Sequence, residues 1–68
     1  METFKIKDEY IQLNQLLKAL GWVENGADAN AAIENRMVKV NGGVELRKRN
    51  KIMKDFSVEF NGHKVIIE

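Results

Sequence analysis

The sequence predicts an α+β domain: a short N-terminal strand, two packed helices, then a small antiparallel sheet of about four strands. Three observations predict it. Leucines recur at helical spacing between residues 10 and 20, and an alanine-rich segment follows over 27–35. From residue 38 onward, apolar and polar residues alternate around two Asn-Gly pairs. Sixty-eight residues allow one small domain, expected to span 1–68 and to bury only about 60% of its unfolded surface.

Phe4 and Ile6 alternate with lysines over 4–7, the period of a short half-buried strand. Tyr10, Leu13, Leu17 and Leu20 then share one helical face, with Leu16 widening the stripe. The spacing predicts a helix over 12–20, with Asp8 a candidate cap for an earlier start. Gly21 is its expected left-handed stop. Trp22 and Val23 anchor the connection. Asn25 is a good N-cap, with Asp28 in the first turn at the positive end of the helix dipole. Over 27–35, Ala29, Ala32 and Ile33 fall on one side, and the small residues suit close packing of two helices. Val38 and Val40 lead into Asn41-Gly42, a type I′ hairpin signal because both central residues need positive φ. Val44 and Leu46 resume the apolar phase, and 47–50 read as an exposed loop or strand edge. Ile52 and Met53 return to the core, and Asp55 marks a turn. Residues 57–60, Asn61-Gly62 and 63–67 form a second hairpin with Val58, Phe60, Val65 and Ile67 inward.

Charge is unevenly placed. Residues 36–54 hold seven of the eleven Lys and Arg and one acid, Glu45, for a formal charge of +6. Residues 1–35 carry −3 and residues 55–68 carry −2, so the net +1 hides a concentrated basic segment. Such a segment attracts polyanions despite a small total, because charges beyond about 8 Å are largely screened at physiological salt. A charged fraction of 31% beside 44% hydrophobic residues reads as soluble and globular, not disordered. Without cysteine there is no disulfide framework and no thiolate metal site. No apolar run approaches the ~20 residues of a membrane span. The first ten residues lack a basic-then-apolar signal pattern, so a cytoplasmic location is expected.

Catalysis finds little footing. His63 is the single histidine and lies in a predicted hairpin turn; Ser57 is the single serine, in a strand with no base beside it. One histidine with scattered carboxylates makes no metal site. Gly42-Gly43 is a turn, without the longer loop and lysine of a phosphate cradle. Neither enzyme activity nor a cofactor is expected.

The pattern resembles a known family. L-x-x-L-L-K-x-x-G at 13–21, a short second helix with Ala29 and Ile33, and V-K-V-N-G at 38–42 are similar to the RNA-binding domain named after ribosomal small-subunit protein four, here the S-four domain, with its alpha-L motif. The resemblance covers 10 to about 67. G-W-x-E-x-G-A-x-A at 21–29 and E-x-R-K-R-x-K-I at 45–52 look most like the small stand-alone bacterial members of the YbcJ type. The resemblance implies a helix pair and adjoining hairpin loop that present one positive surface to structured RNA. The chain departs from the family in its helices. Gln12, Leu13 and Asn14 stand where many members have R-L-D. Asn25-Gly26 replaces a Ser-Arg pair, and Asn30 a basic residue. Arg36 and Asp55 each stand where a glycine is usual. The basic load has moved from the helices onto 36–54.

On this reading Arg36, Lys39, Arg47, Lys48, Arg49 and Lys51 are the expected phosphate contacts, with Lys18 and Lys54 extending the patch. Four of them fall within 47–51, and alternate side chains of an extended segment are ~6–7 Å apart, near the spacing of successive phosphates. The bland counterpart is a solvated loop that keeps a sheet edge from aggregating. Trp22 reads as a seal on the core rather than a base-stacking platform, and no run of aromatics suits single strands. The expected partner is structured RNA, ribosomal or transfer, and a ribosome is a possible host; no membrane partner is expected, and the domain is expected to be monomeric. An adaptor that docks an acidic protein on the same basic surface is the alternative.

Overall fold

Two Asn-Gly turns organise the sheet. Asn41 (φ 53°) and Gly42 (φ 86°) join β3 (Val38–Val40) to β4 (Gly43–Val44). Asn61 (φ 51°) and Gly62 (φ 84°) join β6 (Ser57–Phe60) to β7 (His63–Ile67). Both pairs hold the positive φ values that a type I′ turn demands. The computed structural model describes residues 2–68. Its larger sheet runs β1-β7-β6-β3-β4, where β1 is Glu2–Phe4. Val38, Val58, Val65 and Ile67 are buried on its inner face, as the alternation predicts.

The helices cover that face. α1 is Leu13–Ala19 and α2 is Gly26–Glu34. Leu13, Leu16 and Leu17 of α1 and Ala29, Ala32 and Ile33 of α2 are buried together with the sheet valines. Each fully buried leucine contributes about 1.5–3 kcal/mol relative to exposure. Gly21 (φ 74°) ends α1 in a Schellman motif: its N–H donates to Lys18 O at 3.0 Å, and Trp22 N–H donates to Leu17 O at 3.1 Å. The Asn25 side chain accepts from the Asp28 N–H at 2.9 Å, capping α2. α2 ends in a second Schellman motif, with Arg36 N–H on Ile33 O and Met37 N–H on Ala32 O. Arg36 itself takes the left-handed position, at φ 61°.

Trp22 closes the end of the fold near the second hairpin. It is half-buried and stacks on Phe60, with centroids 6.2 Å apart, and on His63 at 5.6 Å. Its ring thus packs against the second hairpin.

Several expectations need correction. Tyr10 does not belong to the helical stripe. β2 (Tyr10–Gln12) is a strand paired antiparallel with β5 (Lys51–Met53) in a separate two-stranded ribbon, and α1 starts at Leu13. Tyrosine and isoleucine suit a pleated surface, and a partner strand overrides the helical spacing. The alternation turns Ile11 and Ile52 inward and leaves Tyr10 and Met53 exposed, so Met53 is not a core residue. The first strand lies at Glu2–Phe4 rather than 4–7 and pairs parallel with β7, so the larger sheet is mixed. Five strands follow the helices rather than about four. Val44 and Leu46 are about half exposed, because Val44 faces Lys39 on the outer face of the sheet. Asp55, at φ 75°, sits in the expected turn.

Candidate nucleic-acid interface

A helix begins with backbone N–H groups that have no partner inside it. In α1 the N-cap residue, Gln12, makes no side-chain capping bond and the first turn has no acid. The loop between β4 and β5 satisfies the need instead. Leu13 N–H donates to Asn50 O at 2.9 Å, and Asn14 N–H donates to Lys48 O at 3.0 Å. The basic loop is thus fixed to the start of the first helix by its own carbonyls, and Arg47, Lys48 and Arg49 remain exposed.

Glu45 shapes that loop from within. Its carboxylate accepts from the Arg47 N–H at 3.0 Å, Arg47 Nε at 3.0 Å, Arg47 Nη2 at 3.3 Å and Asn50 Nδ2 at 3.1 Å. A turn follows, with Asn50 N–H donating to Arg47 O at 3.2 Å and Lys48 and Arg49 at its tip. Residues 47–51 are therefore not one extended segment, and the even spacing expected of them is replaced by a turn. The Glu45 side chain is 15% exposed while Arg47 is 76% exposed. The Arg47 hydrogen bond holds the Glu45 carboxyl below the usual glutamate range, outweighing the opposing effect of burial. Glu45 in turn holds the Arg47 guanidinium more firmly protonated.

Arg47, Arg49, Asn50 and Lys51 line a shallow surface depression of about 370 Å³. Lys51 sits on β5 with its ammonium 5.0 Å from the centre of the Tyr10 ring, a cation–π contact that steadies it. Lys48 turns the other way, its ammonium 2.6 Å from Glu34 at the end of α2. That contact brings the loop up to the α2 terminus, two residues from Arg36. Among the described residues Arg36, Arg49 and Lys51 have no carboxylate partner.

The remaining sequence candidates sit on or beside other elements. Lys39 projects from the outer sheet face, opposite Val44 on β4 and Glu59 on β6. Lys18 is in the last turn of α1, about 6 Å along the axis from Asn14. Lys54 follows β5 at the end away from the loop, about 10 Å along the strand from Lys51. Asn14 Nδ2 donates to Asn30 Oδ1 at 3.3 Å, a neutral bridge between α1 and α2. The sequence reading missed Glu45 as the loop's organiser and counted it as one negative charge. The available signal was its place two residues before Arg47, within reach of both the backbone and the guanidinium of that residue.

Residues 4–68 match the family model described as S4 domain, and the chain belongs to that family. It is 48% identical over 66 residues to a protein of Escherichia coli (strain K12) named "Putative RNA-binding protein YbcJ", covering 96% of this chain and 94% of that one. It is equally similar to "Uncharacterized protein YbcJ" of Shigella flexneri, 48% over 66 residues. The solution structure of YbcJ from E. coli, described as revealing an alpha-L motif involved in RNA-binding, superposes with a TM-score of 0.74 at 47% identity. That match covers 98% of this chain and 86% of the other. The α+β class and the S-four resemblance read from the sequence both stand, and no helix among the described residues is long and apolar enough to cross a membrane.

Proposed function

We propose that this chain is a non-catalytic RNA-binding protein that grips the phosphates of structured RNA, ribosomal or transfer, through the loop 45–51 and the adjoining α2 terminus. One observation supports it most. The loop that holds Arg47, Lys48 and Arg49, with Lys51 next to it at the start of β5, is bonded to the start of α1, so its cations are presented on a braced support. Duplex RNA is read by shape and by cations placed against its phosphates, and arginine adds forked donors that grip phosphate oxygens in pairs. Arg36 adjoins this group across the Lys48–Glu34 pair, while Lys39, Lys18 and Lys54 would contact only a ligand that extends beyond it. The protein works in the cytoplasm, as a monomer.

A mobility-shift titration with ribosomal and transfer RNA tests the reading. The triple variant Arg47→Glu, Lys48→Glu, Arg49→Glu, with its fold checked by circular dichroism, should lose at least about a hundredfold in affinity. Unchanged binding by that folded variant would refute the reading.

A second reading has its own observation. Met37, Val44 and Leu46 are each nearly half exposed. Lys39 faces Val44 across the β3–β4 pair, and Met37 and Leu46 lie just beyond the ends of those two strands. An apolar trio beside cations suits an acidic protein partner or a ribosome-associated adaptor role. Pull-down after nuclease treatment separates the two: partners that persist without RNA favour the adaptor.

A further inference from the structure

A lone acid inside a stretch of charge +6 looks like a defect in a phosphate-binding surface. By charge counting alone, Glu45 repels RNA and its removal strengthens binding. The geometry points to the opposite role: Glu45 is a positioning residue that aims the free edge of Arg47 at an RNA phosphate. This inference rests on the RNA-binding reading above and deepens it.

The guanidinium offers five N–H donors in a rigid plane. Glu45 takes the side edge, Nε at 3.0 Å and Nη2 at 3.3 Å. Three N–H groups remain, two on Nη1 and one on Nη2. The end edge, with one donor from each of these nitrogens, is the fork that accepts a second oxyanion in a bidentate manner. Fixing one edge on Glu45 therefore fixes where the other edge points. The Arg47 side chain is 76% exposed, so that edge is available to a ligand. The same carboxylate also holds Arg47 N–H and Asn50 Nδ2, clamping both ends of the turn. Arg47, Arg49, Asn50 and Lys51 surround the depression beside it. An unbraced arginine would have to be immobilised on binding, at a cost that Glu45 has already met.

The effect follows from that cost. Ordering one long side chain costs about 0.5–1.5 kcal/mol, so Glu45→Ala should weaken binding about two- to twelvefold although the protein gains a positive charge. The experiment is fluorescence anisotropy with a labelled RNA stem-loop, run on wild type, Glu45→Ala, Glu45→Gln, Arg47→Ala and the Glu45→Ala/Arg47→Ala double variant. Glu45→Gln keeps acceptor oxygen and bulk and guards against a loop that collapses; amide spectra confirm each fold. Weaker binding by both Glu45 variants, with the loss abolished in the Arg47→Ala background, supports the assignment. Tighter binding by the Glu45 variants, or an equal loss with and without Arg47, overturns it. If wild type binds no RNA, the functional reading itself falls and takes this inference with it.

Discussion

The Leu13 amide donates to the Asn50 carbonyl at 2.9 Å, so the first turn of α1 is capped by the basic loop rather than by its own N-cap residue. Helix and loop therefore form one mechanical unit. Amides at an uncapped helix start exchange freely with solvent. Here the Leu13 and Asn14 amides should exchange as slowly as those in the middle of α1, measured by hydrogen–deuterium exchange NMR. Fast exchange at both would show a loop detached from the helix.

Arg36 occupies the left-handed position that closes α2, at φ 61°. A side chain in that conformation costs about 1–2 kcal/mol relative to glycine. Arg36→Gly should raise stability by about 1 kcal/mol in urea denaturation, offset by the extra freedom of glycine in the unfolded chain. It should also weaken RNA binding and reduce the salt slope by about one contact. A less stable Arg36→Gly protein would show that the arginine is held by interactions beyond its backbone.

Trp22 packs on Phe60 and His63. Trp22→Ala should cost about 2–3 kcal/mol in thermal unfolding, below the range for a fully buried aromatic because the residue is only partly buried. RNA affinity of the folded protein should stay at the wild-type value. A large affinity loss would make the ring a base-stacking platform.

The Glu45 carboxyl is depressed below the usual glutamate range of roughly 4.3, first by its hydrogen bond from Arg47. A depressed acid contributes its full stabilisation above the unfolded value, and the contribution fades as pH falls through the lowered folded value. The Arg47 and Asn50 amide signals should therefore shift together during acid titration, with a midpoint below the usual value. Glu45→Gln should abolish that shared transition. A midpoint at or above the usual value would mean the carboxylate is free in solution.

The hairpins were legible because each Asn-Gly pair states its own backbone requirement, whatever lies elsewhere in the chain. Gly21 and Asn25 were legible for the same local reason. β2 was not, because Tyr10–Gln12 takes its conformation from Lys51–Met53, some forty residues away. Its spacing to Leu13 and Leu17 meanwhile imitates a helix. The parallel pairing of β1 with β7 joins the two ends of the chain and has no local mark. At the candidate site the bases could be counted from sequence, but their arrangement could not. Arg47 and Lys48 are held by Glu45 and Glu34, and a side-chain clamp of that kind appears in a charge tally only as a subtraction.

Salt dependence tests the central claim most directly. If about five cations neutralise phosphates, log affinity should fall against log salt with a slope near −4.5, about five-hundredfold between about 50 and about 200 mM salt. The Arg47→Glu, Lys48→Glu, Arg49→Glu variant should show a slope shallower by about three. A wild-type affinity for structured RNA that barely changes with salt would contradict the account.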